Sequence, residues 1–181
     1  MRTDIFKTAM AWIGCIALSF CTLSCGDDND NPAPDTGGNN DNNALVAIHY
    51  EVNVSEDMLY LYDIEMSYLD ENGQRKTGTI TSTTWSFIKT MPLSSAPSEF
   101  DCHITANAKN PRPAIDKDKY TISTSCKGYA AKTSSDGKSI LATYGTMSPS
   151  NKNFAVQASK LDTYLEKYST LTLISYSATK E

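Results

Sequence analysis

The sequence predicts an all-β fold for most of the chain, and two observations carry that prediction. From residue 44 onward, apolar and polar residues alternate in about eight or nine short segments, at intervals of about 8–14 residues. Gly, Pro, Asn, Asp and Ser cluster between these segments, where turns require them. Many short strands at this spacing are typical of two packed sheets. We therefore expect an immunoglobulin-like or transthyretin-like β-sandwich with one short helix before the last strand.

Alternation locates the individual strands. In the first strand, every second residue from Val46 to Val54 is aliphatic or aromatic. Residues 55–57 predict a turn, and Asn72-Gly73 after the second strand is a strong hairpin signal. The last strand carries apolar residues on both faces, so we expect it to be central in its sheet or well covered. The predicted strands are Ala44–Val54, Met58–Leu69, Lys76–Thr83, Trp85–Met91, Glu99–Lys109, Lys119–Lys132, Ser139–Tyr144, Asn153–Ala158 and Thr170–Tyr176.

One helix is predicted, immediately before the last strand. Ser159, followed three residues later by Asp162, resembles a capping box with Asp in place of the usual Glu. A start at Phe154 is the alternative, because the pattern does not fix the first residue. The apolar face of this helix consists of Leu161, Tyr164, Leu165 and Tyr168.

Residues 1–24 have the three parts of an export signal. Arg2 and Lys7 make the start positive, residues 9–24 contain no charge, and a small serine directly precedes Cys25. The apolar stretch is too short to span a bilayer comfortably. Leu23-Ser24-Cys25 resembles the processing site of lipoproteins, with the Leu one position late, and this resemblance implies a lipid on Cys25. An ordinary secretory signal that ends near a cysteine is the alternative.

Residues 25–43 are predicted to be a flexible acidic tether. The stretch after the cysteine holds five Asp, no Lys or Arg and a single apolar side chain, which is too little apolar surface to fold. The cluster of Asp27, Asp28 and Asp30 resembles the export signal of Bacteroidota-type surface-exposed outer-membrane lipoproteins. That resemblance implies a lipid-anchored outer-membrane protein exposed on the cell surface. The alternative is a lipoprotein that faces the periplasm.

Residues 44–181 form the single predicted domain, and its charge excludes two classes of partner. Its 14 basic and 15 acidic residues nearly cancel. No basic face therefore favours nucleic acid or an anionic membrane surface. The membrane contact that we expect is through the lipid anchor alone.

No pattern of residues in this domain predicts catalysis, a metal or a cofactor. His49 and His103 lack metal-ligand spacing, and each lies on the polar face of its strand, where a solvated histidine is expected. Neither a Gly-x-Ser-x-Gly sequence nor a Gly-rich phosphate loop is present. Residues 116–118 are better explained as a charged loop than as a catalytic pair, and residues 70–73 as a hairpin turn than as a calcium loop. We therefore predict a non-enzymatic domain.

Aromatic residues are the main indication of a ligand. All ten Tyr and one of the two Trp lie in the predicted domain. Exposed rings can stack on the C–H faces of sugars, whereas tyrosines on sandwich strands usually pack inward with the hydroxyl at the rim. We name Trp85, Tyr60, Tyr62 and Tyr129 as the candidate ligand platform, with a place in the core or at its rim as the alternative.

Cys102 and Cys126 are candidates for a disulfide. They lie symmetrically about residue 114, inside the Pro-containing loop between two predicted strands. In a hairpin around that loop they would lie opposite each other, about 4.5–5.5 Å apart between Cα atoms, within disulfide reach. Export permits oxidation. The alternative is two small buried thiols.

These patterns predict a surface-tethered lipoprotein whose non-enzymatic β-sandwich is a binding or accessory component of a cell-surface assembly. A surface glycan or a protein is the expected partner. One alternative is a glycan-binding lipoprotein that uses exposed aromatic rings. Another is a pilus-type structural subunit, which would expose a strand edge for pairing. A hydrolase would need a cleft with converging carboxylates, and no motif supports one.

Overall fold

Two antiparallel β-sheets face each other in this protein, whose structure is a computed structural model describing residues 43–146 and 150–180. The described part also contains two short α-helices, α1 (Glu56–Leu61) and α2 (Leu161–Lys167), and two 3₁₀ turns, Leu93–Ser95 and Ala158–Lys160. The strands are β1 (Leu45–Val54), β2 (Tyr62–Leu69), β3 (Arg75–Ile80), β4 (Thr84–Pro92), β5 (Glu99–Ala108), β6 (Lys119–Thr133), β7 (Ile140–Tyr144), β8 (Ser150–Gln157) and β9 (Thr170–Thr179).

The first sheet contains five strands and the second contains four. The order in the first sheet is β4-β1-β6-β7, and β8 also pairs with β6. β7 and β8 share one side of β6, because β7 pairs with its residues 130–133 and β8 with its residues 119–126. The second sheet has the order β3-β2-β5-β9. This arrangement confirms the predicted β-sandwich with one short helix before the last strand.

β1 shows how the alternating pattern builds the core. Val46, Ile48, Tyr50 and Val52 are fully buried, and the residues between them are only half-buried. β1 lies between β4 and β6, so both of its edges are paired. Burying one aliphatic or aromatic side chain of this size contributes about 1.5–3 kcal/mol. The sequence pattern therefore decides which face of this strand is internal.

α1 is a helix that the sequence pattern does not predict. The pattern indicates a turn at residues 55–57 and a strand from Met58, but residues 56–61 are helical and β2 begins only at Tyr62. The reason is local. Ser55 is the N-cap, and its Oγ accepts a hydrogen bond from the Met58 N–H at 3.3 Å. The two acidic residues in the first turn also stabilise the helix N-terminus.

α2 confirms the predicted helix but not its predicted cap. Leu161 and Leu165 are buried, as the apolar face requires. Ser159 lies in a 3₁₀ turn before the helix, and the N-cap is Lys160, which makes no side-chain capping bond. A helix start at Phe154 is wrong, because Phe154 lies in β8.

The hairpin on which the disulfide prediction depends does not form. β5 pairs with β2 and β9, whereas β6 pairs with β1, β7 and β8. Residues 109–118 therefore connect one sheet to the other. Cys102 on β5 and Cys126 on β6 are two buried free thiols on opposing sheets, which corrects the predicted disulfide. Alternation fixes which face of a strand is buried, but it does not identify the strand's neighbours.

The last strand, β9, is an edge strand with one largely exposed face, whereas its apolar residues predict a strand that is central or well covered. Among the described strands, β9 pairs with β5 alone. The register shifts at Leu173, because Ile104 lies opposite Ile174 while Thr105 lies opposite Thr172. This β-bulge lets both Leu173 and Ile174 be buried. Apolar residues therefore occupy both odd and even positions of β9 because of the bulge, and not because both faces of the strand are covered.

Each edge strand of the described part carries a feature that discourages pairing with a further strand. A lysine occupies an inward-facing position on three of them: Lys76 on β3, Lys89 on β4 and Lys152 on β8. β7 and β9 instead contain register shifts of the β-bulge type. These are features by which sheet proteins avoid edge-to-edge association.

Candidate functional site

The residues predicted to carry the lipid and the export signal, Cys25, Asp27, Asp28 and Asp30, lie outside the described residues. The described residues contain the candidate ligand platform, Trp85, Tyr60, Tyr62 and Tyr129, and the charged groups around it.

The rings named as a ligand platform do not share one surface. Tyr62 is buried, and its hydroxyl donates to the carbonyl of Tyr168 at 3.0 Å. Tyr60 lies on α1 and stacks on Tyr120, with ring centroids 6.4 Å apart. Tyr129 is half-buried on the outer face of β6. These three rings belong to the core, to a helix and to an outer sheet face, so grouping them into one platform is wrong.

Trp85 lies in a row of inward-facing side chains that the second sheet leaves partly uncovered. Trp85 and Phe87 lie opposite the buried Val52 and Tyr50, so they point toward the second sheet. None of the nine residues of β4 is buried, whereas every inward-facing residue of the neighbouring β1 is. We call the inward-facing residues Trp85, Phe87, Lys89 and Met91 the β4 strip.

Tyr68 of β2 comes from the second sheet and packs against the β4 strip. Its ring centroid is 5.4 Å from that of Trp85 and 4.8 Å from that of Phe87. The buried Tyr50 lies behind them, 6.0 Å from Phe87 and 6.2 Å from Tyr68. Ring pairs of this kind stabilise by about 0.5–1.5 kcal/mol beyond the area that they bury. Core contacts therefore fix the positions of rings that remain partly open to solvent.

The β4 strip is partly uncovered because the edge strand on this side of the second sheet is short and has a glycine at an inward-facing position. β3 has six residues against nine in β4. One of its inward-facing residues is Gly78, opposite Met66. A Cβ at Gly78 would lie 2.9 Å from the terminal carbon of Met66, so a larger residue there would displace that side chain. The second sheet therefore covers only part of the inner face of β4.

One ion pair is made by Lys89 of the β4 strip, and a second is made by Lys76 of the edge strand β3. Lys89 Nζ is 3.5 Å from Glu71 Oε1, and Lys76 Nζ is 3.2 Å from Asp70 Oδ2. The backbone N–H of Gln74 donates to Asp70, and this bond is the main reason that the pKa of Asp70 lies below its ordinary value. Asp70 is therefore ionised at neutral pH. The two lysines and two carboxylates leave these pairs without net charge.

The most exposed aromatic rings of the described part are not among those named as the ligand platform, and one of them, Tyr168, is predicted to lie on the apolar face of α2. Phe154 on β8 is 47% exposed, and Tyr168 is 36% exposed. Phe154 lies opposite the buried Ile122, so it faces inward. β8 and β4 are on opposite sides of the first sheet, so Phe154 does not join the β4 strip. Alternation assigns Phe154 to the inner face but cannot indicate that the second sheet leaves it uncovered.

Both histidines lie on outer sheet faces, and each contacts a carboxylate. His49 Nε2 is 2.8 Å from Glu51 Oε2. His103 Nε2 is 3.1 Å from Asp101 Oδ2, and its Nδ1 is 3.5 Å from Ser175 Oγ. Asp101, His103 and Ser175 thus form a row on an outer sheet face, where 48% of the His103 side chain is exposed. This solvent-exposed position differs from the desolvated site in which such a row activates a serine nucleophile. Within the described residues, no three His, Cys, Asp or Glu side chains are placed to hold a metal ion.

Comparison with known proteins assigns no family to this chain. No protein-family model matches it, and no curated protein matches it. In residues 43–146 and 150–180, no helix is both long and apolar enough to cross a bilayer. The β-sandwich is therefore the level at which the structure classifies the protein.

Proposed function

We propose that this chain is an outer-membrane lipoprotein, anchored by lipid at Cys25, whose non-enzymatic β-sandwich is displayed on the cell surface. In this role the sandwich is a binding or accessory component of a surface assembly. The observation that carries the proposal is the order of residues in one short stretch. An uncharged run ends in Ser24-Cys25, and three Asp follow within the next five residues.

Lipid on Cys25 is sufficient to hold such a domain at a membrane. Each buried methylene contributes about 0.8 kcal/mol, and two chains make stable what one chain makes reversible. Between the proposed anchor and the sandwich, the sequence of residues 26–43 holds five Asp and no Lys or Arg. That composition is typical of a tether and not of a folded segment.

The edge strands favour a binding domain over a pilus-type subunit. Strand addition needs an edge that offers free backbone groups and pockets for alternate side chains. The lysines on β3, β4 and β8 would be buried by an added strand. The bulges in β7 and β9 interrupt a regular ladder. Assembly by strand exchange is therefore the weaker alternative.

Processing is tested by mass spectrometry of the mature N-terminus. We expect an acylated Cys25, and we expect Cys25→Ala to move the protein from the membrane fraction to the soluble fraction. Cys102→Ala is the matched control, because it removes a cysteine from the core and leaves the proposed anchor intact. An unmodified N-terminus elsewhere in residues 18–30 would contradict the lipoprotein assignment.

Display is tested by adding protease to intact cells. We expect cleavage in the tether, and we expect replacement of Asp27, Asp28 and Asp30 by Ala to reduce it. Asp35 and Asp41 replaced by Ala form the control, since they lie outside the cluster but in the same tether. Cleavage that occurs only after the outer membrane is opened would mean that the domain faces the periplasm.

A further inference from the structure

The β4 strip combines aromatic rings with charged groups in a way that closure of the core does not require. A rim that only closes a sandwich can be covered by the long stems of charged side chains. Here the half-buried Trp85, Phe87 and Tyr68 keep part of their ring surface open, beside the two ion pairs of Lys76 and Lys89. We propose that the β4 strip is a binding subsite for a neutral carbohydrate chain. This inference rests on the proposed function, whose unspecified ligand it assigns to a chemical class.

The spacing along β4 suits a linear ligand. Trp85 and Phe87 are two residues apart on one face, which places them about 6.6 Å apart along the strand. The strip continues to Met91, about 20 Å from Trp85 along the same face. Consecutive sugar rings can therefore lie over consecutive side chains, with their C–H faces against Trp85 and Phe87. Contacts with Tyr50 and Tyr68 hold these two rings in place before any ligand arrives.

Lys89 decides which ligand chemistry the strip suits. It occupies the inward-facing position between Phe87 and Met91, and 49% of its side chain is exposed. An apolar partner laid over the strip would remove this ammonium group from water without supplying acceptors, which is costly. Sugar hydroxyls can instead accept hydrogen bonds from Lys89 and donate to Glu71.

The balance of charge argues for a neutral chain. An anionic polymer would gain from the two lysines but would meet the carboxylates of Asp70 and Glu71 at the same place. A cationic polymer would gain from the two carboxylates but would be repelled by the two lysines at the same place. Uncharged hydroxyl groups use donors and acceptors of both kinds, so the two ion pairs favour an uncharged polysaccharide.

The proposal is tested on the mature protein, extracted in a polyoxyethylene detergent that carries no sugar headgroup. Native electrophoresis is run in gels containing a β-1,4-glucan, an α-1,4-glucan, a mannan, a galactan or a xylan, with one polysaccharide in each gel. We expect at least one of these polymers to retard the protein. Trp85 is the only tryptophan outside residues 1–24, so its fluorescence then gives the dissociation constant for the matching oligosaccharide.

Two variants and one control assign the binding to the strip. Trp85→Ala is expected to weaken binding about ten-fold, measured by gel retardation because its fluorescence is lost. Lys89→Met keeps the rings and is expected to weaken binding about three-fold. Ile88→Ala changes a residue of the same strand that is 54% exposed on the opposite face, and it should leave binding unchanged. Circular dichroism confirms that each variant is folded.

Three results would overturn the proposal. The first is that none of the five polymers retards the wild-type protein. The second is that folded Trp85→Ala is retarded as strongly as wild type. The third is that Lys89→Met binds more tightly, which would indicate an apolar ligand. Because this assay uses isolated protein, its failure leaves the anchoring and display experiments unaffected, and their failure leaves this result unaffected.

Discussion

Glu51 shows how a polar side chain on an outer sheet face is held in place. Its carboxylate accepts hydrogen bonds from His49 Nε2 at 2.8 Å and from Asn53 Nδ2 at 2.7 Å. The other ring nitrogen of His49 is 3.3 Å from the hydroxyl of Tyr129. The bond from His49 is the main reason that the pKa of Glu51 lies below its ordinary value, with Asn53 and Lys127 lowering it further.

This depressed pKa predicts how stability changes with pH. The contribution of Glu51 to the free energy of unfolding is fully present above the ordinary glutamate pKa of about 4.3. It is lost as the pH falls through the lower pKa of Glu51 in the folded state. Glu51→Gln should therefore cost about 0.5–1 kcal/mol at pH 7, and the difference from wild type should shrink between pH 5 and pH 3. Thermal unfolding at several pH values measures it. A difference that stays constant down to pH 3 would contradict the assignment.

The two cysteines of the sandwich predict a distinctive pattern of reactivity. Burial raises the pKa of Cys102, and it raises the pKa of Cys126 to about 11. Little thiolate is therefore present at pH 8, and the thiols are also shielded. We expect iodoacetamide to leave both unmodified in the native protein and to modify both once guanidinium unfolds it, without any reductant. Peptide mass spectrometry gives the answer, and modification that requires prior reduction would mean that a disulfide is present.

At the scale of one element, the Ser55 hydroxyl makes three hydrogen bonds at the start of α1. Ser55 Oγ accepts from the N–H groups of Met58 at 3.3 Å and Ser123 at 3.2 Å. It also donates to the carbonyl of Thr121 at 2.6 Å. The cap of the helix is thereby also a contact between α1 and β6.

Removing this hydroxyl should destabilise the domain more than removing an exposed one. We predict that Ser55→Ala costs about 1–2 kcal/mol in the free energy of unfolding, measured by urea denaturation. Ser159→Ala is the control, because the sequence names Ser159 as a cap but the residue makes no capping bond in the structure. It should change stability by less than about 0.5 kcal/mol. Equal effects of the two changes would refute the role of Ser55.

The elements divide clearly into those that the sequence can predict and those that it cannot. β1 and α2 are predictable because burial of one face imposes a period of two or of 3.6 residues on the sequence. α1 is missed because it has only six residues, too few to show a period. The bulge in β9 is missed because an extra inward residue looks like a strand buried on both faces. Trp85 is assigned to the correct strand, but its exposure depends on how much of β4 the short β3 covers.

At the scale of the whole molecule, Tyr176 joins the two sheets through its hydroxyl. This group accepts from the N–H of Ala130 at 2.8 Å and donates to the carbonyl of Tyr144. Tyr176 lies on β9 in the second sheet, while its partners lie on β6 and β7 in the first. Which strands face each other is decided by such long-range contacts. The sequence therefore predicts a sandwich but neither its strand order nor the β5–β6 crossover that places the two cysteines on opposing sheets.

Gly128 is the glycine of the described part at which an added Cβ would lie nearest to the opposite sheet. It faces inward from β6, opposite Tyr50 of β1. A Cβ at this position would lie 2.8 Å from Ile174 Cγ2 and 3.4 Å from Tyr176 Cβ. A methyl group there would therefore have to push β6 and β9 apart or displace the Ile174 side chain.

We predict that Gly128→Ala destabilises the domain by about 1–3 kcal/mol through this overpacking. Ile174→Ala should cost about 2–5 kcal/mol through the cavity that it leaves. In the double variant the new methyl group occupies part of that cavity, so the cost of Gly128→Ala should fall to near zero or reverse sign. Urea denaturation of all four proteins gives a coupling of about 1–3 kcal/mol if the two residues meet across the core. Additive effects would mean that the sheets are not in contact at this point, because two changes that share no atoms in the core cannot compensate each other.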